Sequence, residues 1–375
     1  MLKRSQHNKQ GLYAEAESAW PTGVLLRRRD FLTRSAALSL GAAPVALGAL
    51  GQYSTRAIDL VAASNVIDML GLPTLNWSLL DRWQQAPAAF GDADFRKLRG
   101  SGIDVFHPAV AFESSQAYDL TREWLTKWNR FIAWHPDYFV RVDGPDDLTR
   151  ARRENKIGII LGMQDANHLR GVDDVDEFYR LGQRLTQLTY NSANRLGDGC
   201  KVTRDRGLTA FGAEVVARMN RTGMAIDVSH CGARTSLDTI AASNKPVLIT
   251  HSNCRALAPG AARCKSDEVI RAAARGGGVL GITAVRHFVR DHDPVTIEDV
   301  LDHFDHAVRL AGVEHVGVGS DFDLDAHPSY DIPGLNQPRR IYELTEGLLR
   351  RGYTNADVSL MLGGNFERVL RQIWR

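Results

Sequence analysis

Gly223-Met-Ala-Ile-Asp-Val-Ser-His230 and Lys245-Pro-Val-Leu-Ile-Thr-His-Ser-Asn253 are the two stretches that decide the fold. Each contains a short apolar run that leads directly into a histidine. One amphipathic helical pattern, at residues 233–242, fits between the two runs. A strand, a helix and a second strand in this order form a parallel pair, whose strands are buried on both faces and therefore apolar. These stretches thus predict two consecutive strand–helix units of a parallel sheet.

The same alternation of apolar runs and helical patterns extends in both directions along the chain. We predict eight strands, at residues 66–70, 103–106, 157–163, 185–190, 224–229, 247–250, 279–283 and 315–320. We predict helices at residues 124–133, 175–183, 211–220, 233–242, 267–274, 297–310, 341–350, 355–362 and 365–374. Eight such strands close a (β/α)₈ (TIM) barrel. The alternative is an open doubly wound sheet, which would carry a glycine-rich turn after the first strand; residues 67–73 contain no such turn.

Composition and charge exclude several classes of protein. The chain has 375 residues, of which 44% are hydrophobic and 24% charged, and this is typical of a globular protein rather than a disordered or fibrous one. Lys and Arg number 46 against 44 Asp and Glu, so the net charge is +2 and nucleic acid is not an expected partner. Four cysteines in a chain of this length do not make a disulfide framework.

The first part of the chain is typical of an export signal. Arg27, Arg28 and Arg29 precede an Asp-Phe-Leu step, and residues 35–55 are uncharged and rich in Ala, Leu and Gly. This order resembles the twin-arginine signal of bacteria. The alternative is an amphipathic helix or a membrane anchor, but the run is too short and too rich in small residues for a stable span. We therefore predict an N-terminal extension and signal over residues 1–55, one barrel domain over residues 60–375, and a periplasmic or secreted protein.

Polar side chains follow five of the predicted strands. They are Gln164 and Asp165, Tyr190 and Asn191, His230, His251, and Asp321 and Asp323. In a barrel these positions share the C-terminal rim, where the active site lies. Because adjacent strands are about 4.8 Å apart, His230 and His251 are placed to share one cation, and imidazole is a good zinc ligand. Asp321 is placed to complete the metal site or to accept a proton. The alternative is that each histidine merely caps a neighbouring helix.

Several motifs resemble the renal-type (membrane) dipeptidases, peptidase family M19. They are Gly207-Leu-Thr-Ala-Phe-Gly, the run from Met219 to His230, the run from Lys245 to Ala256, Gly277-Gly-Val-Leu-Gly-Ile, Val316-Gly-Val-Gly-Ser-Asp-Phe-Asp and Gly363-Gly-Asn-Phe. The resemblance implies a metal-dependent barrel that cleaves dipeptides or related small amides. It implies that His230 and His251 are metal ligands and that Asp321 ligates a second metal and handles the proton. It also places Arg263 where the family's arginine holds the substrate carboxylate with its planar fork.

The chain departs from the family pattern at the first metal. The family's first strand ends in His-x-Asp, whereas this chain has Leu70 and Leu72 at those positions. Gln164 replaces a bridging glutamate, and Tyr190 replaces a histidine that steadies the oxyanion. A two-metal site is therefore not expected. We predict one zinc ion on His230 and His251, with Gln164 or Asp321 completing its ligands.

Some positions leave alternatives open. Asp165 and His107 are candidate replacement ligands. Cys200 closes a glycine-containing segment, Asn194-Arg-Leu-Gly-Asp-Gly-Cys200, and is either a ligand, a nucleophile or a buried apolar residue. A disulfide between Cys254 and Cys264 is also open.

These observations favour an exported, zinc-dependent hydrolase of a dipeptide or small amide with a free carboxylate. Asp321 and Tyr190 are the predicted catalytic residues, and Arg263 and Asn191 the predicted substrate-binding residues. The alternative is a non-catalytic protein that binds a small molecule on the same barrel after losing its metal site. A homodimer is left open.

Overall fold

The computed structural model describes residues 52–325 and 332–374. Its strands are β1 (Ile67–Asp68), β2 (Val105–Phe106), β3 (Ala109–Val110), β4 (Phe139–Arg141), β5 (Ile157–Ile159), β6 (Leu161–Met163), β7 (Gln183–Gln187), β8 (Ala225–Asp227), β9 (Ile249–Ser252), β10 (Leu280–Ile282) and β11 (Val316–Val318). Its helices are α1 (Thr55–Ala63), α2 (Trp77–Gln85), α3 (Asp92–Gly100), α4 (Ala117–Trp134), α5 (Pro145–Arg153), α6 (Asp174–Arg180), α7 (Ala210–Thr222), α8 (Ala233–Ala242), α9 (Asp267–Arg275), α10 (Ile297–Ala311), α11 (Arg340–Arg350), α12 (Asn355–Ser359) and α13 (Asn365–Ile373).

The strands form a closed barrel. The three hydrogen-bonded groups run β1-β2-β5-β4, β3-β6-β7-β8 and β11-β10-β9, and every pairing is parallel. A bridge between Asp227 and Leu248 joins β8 to β9. The ring closes where the backbone N–H of Met69 donates to the carbonyl of Val318, 3.0 Å away. Because β2 and β3 are two parts of one barrel strand, as are β5 and β6, the barrel has eight strands. The predicted fold class is confirmed.

The predicted strands are present, and the structure corrects two details. The predicted strand 185–190 begins earlier, at Gln183, so the helix predicted over 175–183 ends at Arg180. Gln183 is buried, and its amide donates to the backbone carbonyl of Leu185 within the barrel strand, so a polar residue that precedes the apolar run still belongs to the strand. The short strand β4 was not predicted; it pairs with β5 on the edge opposite β2.

The last helix, α13, closes the N-terminal end of the barrel. Its apolar face, including Phe366 and Leu370, is buried in one cluster with residues at the beginnings of the strands, such as Ile67 and Leu248. Gly363 permits this approach, because a Cβ there would lie 2.0 Å from the carbonyl oxygen of Asn65. Since this end is packed, we expect the functional residues at the other end of the barrel.

The start of the chain is only partly described. Most of the predicted export segment, residues 1–55, lies outside the described residues. The first described helix, α1, begins after Ser54, whose hydroxyl accepts a hydrogen bond from the N–H of Ala57. Within residues 52–325 and 332–374, none of the helices combines the length and the apolar character that crossing a membrane requires.

Candidate active site

His230 and His251 meet at the C-terminal end of the barrel. His230 follows β8 and His251 lies within β9, and their Nε2 atoms are 3.1 Å apart. Two nitrogens bound at 2.0–2.1 Å to one tetrahedral zinc ion would be about 3.3 Å apart. Both rings are buried. Their separation therefore matches what a single shared ion requires, and the structure brings together the two residues that the sequence predicted to meet.

The electrostatic surroundings keep both imidazoles neutral. Burial lowers the pKa of His230 and of His251 well below the usual value, and the nearby guanidinium of Arg263 lowers both further. A neutral imidazole keeps a lone pair on one ring nitrogen, and this is the form that binds a metal. The rings are thus in the ligating form without needing to lose a proton first.

Asp321 lies at the same end of the barrel as this pair, and its backbone is strained. It follows β11 and has a φ of 62°, in the left-handed region that few residues other than glycine adopt. Its backbone N–H donates to the carbonyl of Leu70. Burial raises the pKa of its carboxyl to about 7. A carboxyl with such a pKa can exchange a proton near neutral pH.

Tyr190 packs against His230 in the site. Its ring stacks on the ring of His230, with centroids 4.1 Å apart and planes 23° apart. Burial, followed by the nearby charge of Asp321, raises the pKa of its hydroxyl to about 12. The hydroxyl therefore keeps its proton and can donate a hydrogen bond.

Arg263 reaches the site from the segment after β9 and is buried. One terminal nitrogen donates to the carbonyl of Ser229 and, at 3.2 Å, to the hydroxyl of Ser252; the other donates to the carbonyl of His251 at 2.6 Å. These contacts use three of its five N–H donors. The buried Nε has no partner among the described residues. Arg263 is thus fixed by the backbone beside the histidines and keeps donors for a ligand.

The other predicted residues are held by local contacts. Asn191 accepts a hydrogen bond at Oδ1 from Nδ1 of His230, at 2.9 Å, so it contacts a predicted ligand rather than open space. The amide nitrogen of Gln164 donates to the carbonyl of Ala109 at the end of the neighbouring strand. Asp165 accepts hydrogen bonds from Asn167 and Asn194, and burial raises its pKa to about 7.

The alternative ligands do not gather around the histidines. His107 donates from Nδ1 to the carbonyl of Met69, and its Nε2 lies against Gly162. Within the described ranges, no three residues among His, Cys, Asp and Glu are grouped closely enough to hold a metal ion. Leu70 and Leu72 are both buried and offer no ligand atom from their side chains.

The cysteines are free thiols. Cys254 lies against the carbonyl of His303 and Cys264 against that of Phe288, so the two open candidates for a disulfide make separate contacts. Cys200, which is partly exposed, donates to Oδ1 of Asn191 at 3.3 Å.

Sequence reasoning missed three residues of the site. Asp227 and Thr250 are buried beside the histidines, and both hydrogen-bond within the site. Asp227 interrupts the apolar run of β8 three residues before His230, and a carboxylate inside a buried strand is the signal that could have found it. Lys265 was missed as well; it donates to the carbonyl of Cys231, and burial lowers its pKa to about 8.

The chain matches one family over nearly all of its described length. The model of the membrane dipeptidases (peptidase family M19) matches residues 54–375. An uncharacterized dipeptidase of Schizosaccharomyces pombe is 31% identical over 272 residues, which make up 70% of this chain and 63% of that protein. The chain thus spans less than two thirds of the length of the curated relatives it matches.

Solved structures show the same fold. An amidohydrolase from Pseudomonas aeruginosa is 29% identical, with a TM-score of 0.74, and the match covers 85% of this chain and 99% of the other. A metallopeptidase from Rhodobacter sphaeroides, solved with a phosphinate mimic of the dipeptide L-Ala-D-Ala, is 20% identical, with a TM-score of 0.68 over 82% of this chain and 99% of the other. At the lower identity the likeness concerns the fold alone.

Proposed function

The chain belongs to the membrane dipeptidase family, peptidase family M19, and from this membership we propose that it is a metal-dependent hydrolase that uses one metal ion. Its proposed substrate is a dipeptide or a related small amide with a free carboxylate. The observation that carries the proposal is the 3.1 Å separation of the Nε2 atoms of His230 and His251. Two buried imidazoles that converge in this way form half of a tetrahedral zinc site.

The residues at the barrel mouth fit one ion and not two. His230 and His251 supply two nitrogen ligands, and Asp321 and Gln164 are the candidates for a third. The positions where the family places His-x-Asp carry Leu70 and Leu72, whose side chains cannot coordinate. Zinc at such a site supplies Lewis-acid polarisation of the amide carbonyl and makes water more acidic.

The protein's own residues would divide the remaining tasks. The N–H donors of Arg263 that have no protein partner favour a carboxylate as the group by which the substrate is anchored, because a guanidinium pairs with both carboxylate oxygens. Tyr190 would donate a hydrogen bond to the oxyanion that develops on the amide carbonyl. Asp321 would take the proton from the attacking water and pass it to the leaving amine.

The test combines metal content with turnover. Protein grown with zinc should retain it and hydrolyse a member of a dipeptide panel that includes L-Ala-D-Ala, which the ligand of the Rhodobacter sphaeroides structure mimics. His251→Ala should abolish both metal and turnover. His306→Gln is the matched control, because His306 lies on α10 and contacts Asp267 away from the site. Unchanged turnover in His251→Ala would reject the mechanism.

A specific observation also favours a second candidate, a non-catalytic small-molecule binding protein. The described residues lack a third close His, Cys, Asp or Glu, whereas the donors of Arg263 remain available for a carboxylate. Zinc below about 0.1 per chain, together with calorimetric binding of intact dipeptides, would select this candidate over the hydrolase.

We also propose export of the protein through the twin-arginine route, supported by the order of residues 27–55. A fusion of residues 1–55 to a reporter that is active only after export should be exported. Replacing both Arg28 and Arg29 with lysine should abolish that export, and export of the doubly substituted fusion would contradict the proposal. A homodimer stays a prediction, which sedimentation velocity of the mature protein would test.

A further inference from the structure

Asp227 is a buried carboxylate in the strand that leads to His230. Its Oδ1 accepts hydrogen bonds from the N–H and the hydroxyl of Ser229, at 2.9 and 2.6 Å, and from the N–H of Thr250, at 3.1 Å. Its Oδ2 accepts from the hydroxyl of Thr250 at 2.7 Å. All four partners are donors, so the carboxylate is fixed in place and acts only as an acceptor.

The hydroxyl of Thr250 determines which nitrogen of His251 carries a proton. A threonine hydroxyl has a single hydrogen, and here that hydrogen is donated to Asp227. The Oγ1 atom, 2.8 Å from Nδ1 of His251, is therefore left to accept. Nδ1 of His251 must then be the protonated nitrogen, and in the neutral ring Nε2 carries a lone pair.

A second contact imposes the same arrangement on His230. Oδ1 of Asn191 is an acceptor, and it lies 2.9 Å from Nδ1 of His230 while also accepting from Cys200. Nδ1 of His230 is thus a donor, and its Nε2 also carries a lone pair. The two lone pairs face each other across 3.1 Å. Two free imidazoles at this distance would instead share an N–H···N hydrogen bond.

We propose that Asp227 and Thr250 are positioning residues that hold His251 in its Nδ1–H tautomer, so that the histidine pair cannot close into a mutual hydrogen bond and stays open to a cation. The inference rests on the proposed function, because it concerns how the ligands of that site are held. Metal-binding histidines in general donate their second ring N–H to a fixed acceptor. Here that acceptor is the hydroxyl of Thr250, which in turn donates to the carboxylate of Asp227 in the neighbouring strand.

The tautomer can be measured directly in the metal-free protein. Two-bond ¹H–¹⁵N correlation spectra of histidine-labelled protein distinguish Nδ1–H from Nε2–H rings. We expect Nδ1–H for His251 in the wild type. Thr250→Val removes the acceptor, so His251 should shift towards the Nε2–H form and donate to Nε2 of His230. A wild-type ring in the Nε2–H form, or an unchanged ring in Thr250→Val, would overturn the proposal.

Zinc affinity gives the second readout. Loss of such a supporting contact lowers metal affinity by about 10- to 100-fold in other proteins, and we expect the same for Thr250→Val. Thr250→Ser keeps the hydroxyl and should restore both the tautomer and the affinity. Thr239→Val is the matched control, because its buried hydroxyl donates to a helix carbonyl in α8. An equal loss of affinity in Thr250→Ser and Thr250→Val would contradict the proposal.

The two experiments separate this inference from the proposed function. A wild-type protein that neither binds zinc nor hydrolyses dipeptides would refute the function, while the tautomer of His251 in the same sample would still decide the role of Thr250. Conversely, if the wild type binds zinc and hydrolyses dipeptides but the Thr250→Val variant keeps the Nδ1–H ring, the proposed function stands and the role of Thr250 is refuted.

Discussion

The ring of Tyr190 stacks on the ring of His230, with centroids 4.1 Å apart. This contact links the exits of two neighbouring barrel strands, because Tyr190 follows β7 and His230 follows β8. Tyr190 therefore shields one face of the imidazole from water while its hydroxyl stays near the site. A tyrosine at this position both supports a proposed metal ligand and offers a proton donor for the reaction.

Replacement of Tyr190 with phenylalanine separates these two roles. The phenylalanine ring keeps the stacking on His230, so zinc content should not change. Loss of the hydroxyl should lower kcat by about 10²- to 10³-fold, as the loss of one oxyanion donor does in other hydrolases. Steady-state kinetics and metal analysis check both parts. A Tyr190→Phe enzyme with wild-type kcat would show that the hydroxyl takes no part in the reaction.

Asp321→Asn tests the proposed proton carrier. Asparagine tolerates the left-handed backbone of this position, so the fold should persist. An amide cannot accept the proton of water, and we expect kcat to fall by about 10²- to 10⁴-fold. Full activity in the variant would contradict the assigned role. Metal content measured alongside tells whether Asp321 also serves as a ligand.

Arg263→Lys tests recognition of the substrate carboxylate. Lysine keeps the charge and loses the planar fork, so KM for a dipeptide should rise. The sharper measurement compares each dipeptide with its C-terminal amide. The wild-type enzyme should have a much lower kcat/KM for the amide than for the dipeptide. In the variant this difference should be much smaller, because the guanidinium that binds the carboxylate has been removed. Equal discrimination by both enzymes would show that a group other than Arg263 binds the substrate carboxylate.

The barrel and its rim could be predicted from the sequence, because eight apolar runs mark the strands and the polar residues that follow them mark the strand ends. His230 and His251 were predicted to meet since strand order alone brings their strands together. The contacts of Gln164 and Arg263 could not be predicted, since they depend on where backbone carbonyls of other strands point. The strand β4 was missed because three residues carry too little periodicity to be told from a loop.

Gly319→Ala tests whether the close approach of Gly319, just after β11, positions His251. A Cβ at Gly319 would lie 1.9 Å from the carbonyl oxygen of Thr250 and 3.1 Å from Cα of His251. The strand β9 must then move, so we expect a loss of about 1–3 kcal/mol in the free energy of unfolding, together with weaker zinc binding. Gly171→Ala is the control, since a Cβ there meets nothing within 4 Å. Equal stability of the two variants in urea would contradict this reading.

The buried His303 makes stability depend on pH. Its Nδ1 accepts from the N–H of Cys254 and its Nε2 donates to the carbonyl of Val289, and burial lowers its pKa to about 4. The unfolded chain, in which an ordinary histidine pKa of about 6.5 applies, binds a proton more readily. Stability contributed by the neutral ring is therefore lost as pH falls from about 6.5 towards 4, and amounts to about 2 kcal/mol between pH 7 and 5.

Urea unfolding at pH 7 and pH 5 measures this contribution. Other groups also titrate in this range, so the comparison is with His303→Gln, which can keep both hydrogen bonds and does not protonate. The variant should lose about 2 kcal/mol less than the wild type on acidification. Equal losses in the two proteins would show that His303 is not the responsible group.

Zinc stoichiometry of the purified, zinc-reconstituted protein tests whether His230 and His251 share one metal ion. We expect about one zinc ion per chain at saturation, lost in His251→Ala and retained in His306→Gln, since two convergent imidazoles are present and the second family site carries Leu70 and Leu72. Saturation near two ions per chain, or an unchanged zinc content in His251→Ala, would contradict it.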